Sequence, residues 1–170
     1  MIKKWHLGLF ILMILALTLL SACSVAAVAK VGDRVKVDYT GKLADGTVFD
    51  SSIGKTPLEF TLGDGSMIKG FDAAVVGMKV GASKTVTLQP TDAYGNHLDS
   101  AVTTVPRNQL PSGLVPIIGQ QLQVTHSDGS VGVVTVTAVT DTTVTVDANN
   151  PLAGKTLTFE IKLVGIMSAK

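Results

Sequence analysis

Alternating apolar and polar positions run through most of the chain after its first 30 residues, and this two-residue period predicts half-buried β-strands. The pattern is clearest in RVKVDYTGKL, where Val35, Val37 and Tyr39 are expected on one face and the polar residues between them on the other. Shorter alternating runs in PLEFTLG, KTVTLQP and AGKTLTFEIKLVGI predict further strands, the last of them from Thr156 to Ile166. The main part of the chain is therefore expected to form a β-sheet.

One segment, MIKGFDAAVVGMKVGAS, has the character of a helix rather than a strand. We predict a single short helix from Lys69 to Val76, because Gly77 is placed to end it and the next glycine to turn the chain. One short helix among many strands predicts an α+β fold that is mainly β.

The character of the sequence changes after His97. The stretch LDSAVTTVPRNQLPSGLVPIIG is proline-bearing and is expected to be irregular, and the Val- and Thr-rich stretch after it predicts three short strands in a meander. We therefore expect two units: a discontinuous antiparallel domain formed by residues 31–97 and 150–166, and a small inserted β domain formed by residues 98–149.

The N-terminus has the pattern of a bacterial export signal. Lys3 and Lys4 precede the apolar run Leu7–Leu20, which is shorter than the roughly 20 residues of a spanning helix and has the length typical of a secretory signal. The run ends at Leu-Ser-Ala-Cys, which resembles the cleavage and lipidation site of bacterial lipoproteins. Cys23 is the one cysteine of the chain. A plain signal peptide with an incidental cysteine is the alternative.

This resemblance implies a lipoprotein signal peptide at residues 1–22, lipid on Cys23 and a short tether at residues 23–30. The protein is then expected to be anchored to a bacterial membrane and to face its extracytoplasmic side. Without Lys3 and Lys4, 12 basic side chains oppose 13 acidic ones, a net charge of −1. This charge, and the lack of any basic run interleaved with aromatics, predicts no nucleic-acid partner. One cysteine and three scattered histidines give no metal-ligand spacing.

Five stretches resemble the FKBP-type peptidyl-prolyl cis-trans isomerase family. Tyr-Thr-Gly, Asp-Gly-Thr-Val-Phe-Asp-Ser-Ser, Ile-Lys-Gly-Phe, Asp-Ala-Tyr-Gly and the final LTFEIKLVGI occur in the order and at the spacing of that family. Together they cover essentially the whole isomerase domain. The resemblance implies a bent antiparallel sheet around one short helix, with the active site between them.

The segment between Tyr94 and the last strand resembles the SlyD-like subgroup of this family, in which an insert-in-flap domain replaces a short flap. VPRNQLP, the Val- and Thr-rich meander and NPLAGKTL carry this resemblance. Two features depart from the subgroup: Asn150 stands where a histidine often precedes PLAGK, and GIMSAK follows the last strand in place of a histidine-rich, metal-binding tail. We therefore expect no metal and no other cofactor.

The family resemblance also implies site residues. The implied catalytic set is Tyr39, Asp50, Ile68 and Tyr94, and the implied substrate-binding set is Phe49, Leu58, Phe60, Met67, Phe71 and Phe159. In these sets the Ile68 N–H and the Tyr94 hydroxyl would bind substrate carbonyls, and Asp50 would pair with the Tyr39 hydroxyl. Taken one by one, the phenylalanines and Tyr39 also fit an ordinary core, and Asp50 fits a turn.

Prolyl isomerisation needs no acid, base or nucleophile, which suits a site rich in aromatic and aliphatic side chains. The peptide-bond barrier is about 18–20 kcal/mol, and an apolar cup that fits the twisted amide better than the planar one lowers it. The resemblance thus implies a monomeric isomerase that acts on proline-containing unfolded or extended polypeptides. Two alternatives stay open: a chaperone whose insert holds unfolded chains, and a non-catalytic lipoprotein that reuses the fold.

Overall fold

The computed structural model describes residues 27–125 and 129–167, which form two antiparallel β-sheets and one short α-helix. In chain order the elements are β1 (Arg34–Leu43), β2 (Val48–Ser51), β3 (Leu58–Thr61), α1 (Lys69–Val75), β4 (Ser83–Leu88), β5 (Val102–Pro106), β6 (Gln121–Thr125), β7 (Val131–Val139), β8 (Thr143–Asp147) and β9 (Leu157–Met167). This content confirms the predicted α+β, mainly β fold class.

The first sheet has the strand order β2-β1-β9-β4, and β3 also pairs with β1. Its last strand in sequence, β9, lies between β1 and β4. The pairing of β1 with β9 runs from Arg34 opposite Met167 to Leu43 opposite Leu157. The most distant parts of the isomerase sequence are therefore neighbours at the centre of this sheet.

Alternate residues of these strands and one side of α1 form the core, as the sequence pattern predicts. Val35 and Val37 are fully buried, and Phe71 and Val75 of α1 pack against the same core. The buried residues of β9 are Leu157, Phe159, Ile161 and Leu163. The helix ends one residue earlier than expected, at Val75.

The second sheet has the order β5-β8-β7-β6, and its four strands all lie between β4 and β9 in the chain. The predicted three-stranded meander corresponds to β6, β7 and β8. The expectation of an irregular segment before it is wrong at β5, which pairs antiparallel with β8 from Val102 opposite Asp147 to Pro106 opposite Thr143. Pro106 is compatible with this pairing because it ends a strand at the edge of the sheet, where its missing N–H breaks no ladder.

The two segments that join the sheets lie side by side and form a neck, defined here as His97 and Leu98 with Asp147 and Asn149. The Leu98 N–H donates to Asn149 Oδ1 at 3.0 Å, and Asn149 Nδ2 donates to the Leu98 carbonyl at 2.9 Å. His97 Nε2 lies 3.0 Å from Asp147 Oδ2, and this hydrogen bond raises the pKa of the imidazole. The inserted chain therefore leaves and rejoins the first sheet at one place.

The N-terminal end of the described chain is fixed to the body of the protein. Ala29 is 2% exposed, and its N–H donates to the Met78 carbonyl at 2.9 Å while its carbonyl accepts from the Gly77 N–H at 2.8 Å. The expectation of a tether is wrong at residues 27–30, which pack against the loop after α1. Cys23 and the predicted signal peptide lie outside the described residues. Among residues 27–125 and 129–167, no helix is both long and apolar enough to span a membrane.

We predict that a variant in which a short glycine-containing loop replaces Leu98–Asn149 remains folded. The reciprocal bonds of the neck hold the two ends of this segment together, and the core of the first sheet lies outside it. Circular dichroism during urea unfolding should show one cooperative transition. A gradual, non-cooperative loss of signal would contradict the domain boundary.

Candidate active site

A cavity of about 180 Å³ opens between the first sheet and the N-terminal end of α1. Its lining residues are Tyr39, Phe49, Asp50, Leu58, Ser66, Met67, Ile68, Phe71, Tyr94 and Phe159. The structure thus brings together nine of the ten residues that the sequence analysis assigned to the site, and it adds Ser66. Phe60 is the one that does not line the cavity.

A larger groove, of about 470 Å³, lies on the face of the first sheet that points away from α1. Its side chains are mostly charged or hydroxyl-bearing and include Asp38, Glu160 and Lys162. It lacks the aromatic cup that isomerisation of an apolar proline ring requires. The smaller cavity is therefore the candidate active site.

Phe71 forms the floor of this cavity. Its side chain is 1% exposed, and its ring packs edge-on against Tyr39 at 5.7 Å and Phe159 at 5.3 Å between centroids. Phe60 lies 5.9 Å from Phe71 and supports the ring inside the core. Phe60 is 7% exposed and does not line the cavity, so its predicted contact with substrate stays a prediction.

Phe49 forms a side wall, and a glycine makes room for it. Its ring packs edge-on against Phe159 at a centroid distance of 5.7 Å. A Cβ atom added at Gly41 of β1 would lie 2.6 Å from Phe49 Cζ and 3.1 Å from Phe159 Cε1. Gly41, the glycine of the Tyr-Thr-Gly motif, therefore leaves room for the rings of Phe49 and Phe159 to pack directly against β1.

Tyr39 and Asp50 form a hydrogen-bonded pair at the rim. The Tyr39 hydroxyl donates to Asp50 Oδ2, and Asp50 Oδ1 accepts the Ser51 N–H at 2.8 Å. Burial first, and then the hydrogen bond to Asp50, raise the pKa of Tyr39 to about 12. The phenol thus stays neutral at physiological pH, and its proton is committed to the carboxylate rather than to a substrate.

Two serines hold the backbone of Tyr39 in place. Ser52 Oγ accepts the Tyr39 N–H at 2.9 Å, and the Ser52 N–H donates to the Tyr39 carbonyl at 3.0 Å. Ser51 Oγ donates to the same carbonyl at 3.1 Å. Ser52 is the one buried polar residue in the described part of the chain. The sequence analysis quoted these serines within the Phe-Asp-Ser-Ser stretch but gave them no role.

Ile68 places an open backbone donor at the cavity. It precedes α1 with φ −60° and ψ 139°, and its carbonyl accepts the first N–H groups of the helix. Its own N–H has no acceptor among residues 27–125 and 129–167. This N–H is therefore available to a carbonyl bound in the cavity, as the family resemblance implies.

Tyr94 lies opposite, on the loop after β4. A Cβ atom at Gly70 of α1 would lie 2.5 Å from Leu88 Cδ2 and 3.1 Å from the Asp92 carbonyl oxygen, so the glycine lets the helix approach this loop closely. Tyr94 is exposed, and within the described residues its hydroxyl has no hydrogen-bond partner. The second polar group open to a ligand is therefore the Tyr94 hydroxyl.

Ser66 is the lining residue that the sequence analysis missed. Its Oγ donates to Asp64 Oδ1 at 2.6 Å, and its N–H donates to the same oxygen at 2.8 Å. The Gly-Asp-Gly-Ser stretch at residues 63–66 forms the turn that leads into the helix. The sequence carries no motif that distinguishes a serine which only stabilises a turn from a serine which also lines a cavity.

No group of three or more histidine, cysteine, aspartate or glutamate side chains in the described part of the chain is arranged to hold a metal ion. The polar groups around the cavity are instead single donors and one carboxylate on an aromatic wall. This arrangement binds and orients a neutral amide without forming a bond to it.

We predict that the phenol of Tyr39 ionises near pH 12 instead of its ordinary value of 10.0. In a Y94F variant Tyr39 is the sole tyrosine, since the chain has two, and tyrosinate absorbance follows it directly. Loss of Tyr94 should lower the pKa only slightly, because it is the smallest of the causes. Adding D50N should lower it further without restoring 10.0, because burial is the larger cause.

The linkage sign follows from this direction. The folded protein favours the neutral phenol, so the contribution of Tyr39 to stability is complete below pH 10 and is lost as pH rises through 12. An absorbance midpoint near pH 10 in folded Y94F protein would show that neither the burial of the phenol nor its hydrogen bond to Asp50 raises the pKa of Tyr39 in solution.

Comparison with known proteins agrees with this site. The sequence profile of the FKBP-type peptidyl-prolyl cis-trans isomerase family matches residues 26–164. The chain is 34% identical over 149 residues to a probable FKBP-type 16 kDa peptidyl-prolyl cis-trans isomerase of Pseudomonas fluorescens, covering 84% of this chain and 95% of that protein. It is 35% identical over 156 residues to a short-type peptidyl-prolyl cis-trans isomerase of Methanocaldococcus jannaschii, covering 83% and 96%.

A third relative carries the subgroup name. The chain is 36% identical over 135 residues to the FKBP-type peptidyl-prolyl cis-trans isomerase SlyD of Treponema pallidum, covering 79% of this chain and 76% of that protein. The profile match and these relatives confirm the predicted enzyme class. With the aromatic cavity already located beside α1, we conclude that this chain belongs to the FKBP-type peptidyl-prolyl cis-trans isomerase family.

Proposed function

We propose that this isomerase assists the folding of extracytoplasmic proteins while lipid on Cys23 holds it to a bacterial membrane. In this proposal the cavity turns over X-Pro bonds and the second sheet binds unfolded chains. The observation that carries the catalytic part is the convergence of nine sequence-predicted side chains on one apolar cavity with two open polar donors. We propose that a monomer suffices, since all ten lining residues come from one chain.

The chemistry follows from the properties of the prolyl amide. Rotation about the bond removes its double-bond character, so the nitrogen becomes pyramidal and the carbonyl less polar than in the planar amide. The floor formed by Phe71 and the wall formed by Phe159 exclude water from that carbonyl, which weakens the solvation of the planar state. A cup of this kind lowers the barrier because it fits the twisted state better than the planar one.

The two open donors fix the peptide on either side of the rotating bond. The Ile68 N–H and the Tyr94 hydroxyl each donate a hydrogen bond to a substrate carbonyl, and the prolyl bond between these two carbonyls rotates over the aromatic floor. The Asp50 carboxylate lies at the rim of the cavity and polarises the bound segment. Tyr39 acts in this scheme by holding Asp50 and by packing on Phe71.

The segment between β5 and β6 of the insert offers apolar side chains to a client. Val115, Ile117 and Ile118 are exposed, whereas the core of the second sheet consists of Val134, Val136 and Val144. The apolar stretch Leu114–Ile118 therefore does not simply form the core of the insert, although its Pro116 is buried. Exposed apolar groups of this kind mark interaction surfaces, which supports a chaperone role and assignment to the SlyD-like subgroup.

The neck makes cooperation between the two parts plausible in physical terms. His97 of the neck follows Tyr94 of the cavity by three residues in the chain. A client held on the insert therefore raises the local concentration of its prolyl bonds near the cavity. Affinity and turnover are thus expected to depend on different parts of the chain.

We predict that Y94F lowers kcat/KM for a short proline-containing peptide by about 2- to 12-fold, because one neutral hydrogen bond contributes about 0.5–1.5 kcal/mol. Y94F should leave suppression of aggregation unchanged. Tyr94 is a cleaner probe than Phe71, since truncating a fully buried phenylalanine costs about 3–5 kcal/mol of stability. A protease-coupled isomerisation assay provides the rates.

Removing the insert should have the opposite effects to the Y94F substitution. Replacing Leu98–Asn149 should spare most of the peptide turnover but strongly reduce catalysis of proline-limited refolding of a whole protein. The double substitution I117S/I118S should reproduce this loss, and V164S, an exposed valine of β9, is the matched control. Refolding catalysis that survives both changes would assign client binding to the cavity alone. Peptide turnover at the uncatalysed rate in the intact protein would favour a pure chaperone.

We predict that the C23A precursor loses its membrane association. The basis is the apolar run that ends at Leu-Ser-Ala-Cys, with no other thiol in the chain. The wild-type and C23A precursors are expressed in a bacterium and separated into membrane and soluble fractions. A C23A protein that fractionates like wild type would exclude anchoring through this residue.

A further inference from the structure

The first described residues are attached to the end of the protein that is opposite the insert. Val28 forms a β-bridge with Lys79, and the Val80 N–H donates to the Ala27 carbonyl at 3.4 Å. With the bonds of Ala29 to the same loop, residues 27–30 are fixed against residues 77–80. Residues 27–30 therefore have a fixed position against the first sheet and α1.

Four exposed valines surround this point. Val28 and Val31 lie on the entering segment, and Val76 and Val80 lie on the loop after α1 that binds it. We call these four residues, with the exposed Lys30 and Lys79, the valine face. The acidic group closest in the chain is Asp33, whose carboxylate accepts the Lys30 N–H at 3.0 Å. The Asp72 carboxylate also lies near Val31, since it accepts the Gly63 N–H at 3.1 Å and a Cβ atom at Gly63 would lie 2.7 Å from Val31 Cγ1. The face is therefore apolar, with two exposed lysine ammonium groups beside it.

The distance from the proposed lipid to this face is bounded by covalent geometry. Four residue steps separate Cys23 from Ala27, and an extended chain spans at most about 3.3–3.6 Å per residue. Ala27 therefore lies within about 15 Å of an acylated Cys23. The polar layer on each side of a bilayer is roughly 5–8 Å thick, so this link keeps Ala27 within about 10 Å of the outer edge of the headgroups.

We propose that the valine face is a membrane-contact surface that rests on anionic lipid headgroups. Its valines lie at the boundary of headgroups and acyl chains, and Lys30 and Lys79 pair with lipid phosphates. This inference rests on the lipid anchor proposed above and adds an orientation to it. The composition of the face fits a lipid surface, since apolar side chains with flanking lysines match an apolar layer below anionic groups.

The orientation determines where the functional parts lie. β9 runs from Leu157, beside the insert, to Met167, opposite Arg34 at the valine-face end. Its 11 residues span about 35 Å at roughly 3.3 Å per residue. The cavity lies at the N-terminal end of α1 and the valine face at its C-terminal end. The cavity and the insert are thus held away from the bilayer, where a client can reach them.

Lipidated protein in vesicles that carry a quencher in the lipid tests this orientation. Acylation occupies the sole native thiol, so a single introduced cysteine takes a fluorophore specifically. V31C labels the valine face, and V115C labels the insert at matched exposure, 67% against 68%. In phosphatidylglycerol-containing vesicles the quenching at V31C should exceed that at V115C several-fold. Adding K30Q/K79Q should lower V31C quenching to the level seen in phosphatidylcholine vesicles.

The outcomes separate the orientation from the anchor. Protein that binds vesicles through its lipid but shows equal quenching at V31C and V115C would overturn the membrane-contact surface and leave the anchor intact. The membrane-contact surface would also be overturned if the fluorophores at V31C were shielded from the lipid quencher and quenched one another, because a second copy of the protein would then cover the valine face. Wild-type and C23A precursors with the same membrane fraction would overturn the anchor itself.

Discussion

The packing of Phe71 against the inner face of the first sheet is the contact on which the rest of the isomerase body depends. Its ring touches Tyr39 of β1, Phe60 of β3 and Phe159 of β9, with centroid distances between 5.3 and 5.9 Å. These contacts fix α1 across three strands. The same ring is the floor of the cavity, so core packing and site geometry have one cause. A fully buried floor also keeps its position without help from a substrate.

The polar groups of the cavity fall into two classes: those that already have a hydrogen-bond partner within the protein and those that do not. The Tyr39 hydroxyl, the Asp50 carboxylate and the Ser66 hydroxyl all have partners within the chain. The Ile68 N–H and the Tyr94 hydroxyl have none in the described part of the chain. Because most polar groups are satisfied internally, an entering peptide meets an apolar surface with only two fixed points. The cavity therefore offers a peptide few polar contacts beyond these two donors.

Much of this architecture could be predicted from the sequence, because the alternation of apolar and polar residues indicates a strand locally and a well-placed glycine indicates the end of a helix. The strands of the first sheet and the helix follow from those patterns, and the site residues followed from motifs in a family order. The misses have physical reasons. The strand β5 was missed because it is short and ends at Pro106, and a proline argues against a strand. The packing of Ala29 was missed because a single small buried residue produces no periodic pattern. Whether Phe60 or Ser66 lines the cavity depends on the bend of the sheet, which no two-residue period encodes.

The position of β9 has a consequence for how the protein is made. Synthesis releases the chain from its N-terminus, yet β9, the strand between β1 and β4, is the last of the described strands to emerge. The first sheet therefore cannot close during elongation, and its contacts span the longest sequence separations in the chain. The strands β5 to β8 pair only among themselves and can form earlier. A nascent chain of this kind can carry a finished small sheet while its first sheet stays open, so the cavity can be completed only after β9 has been synthesised.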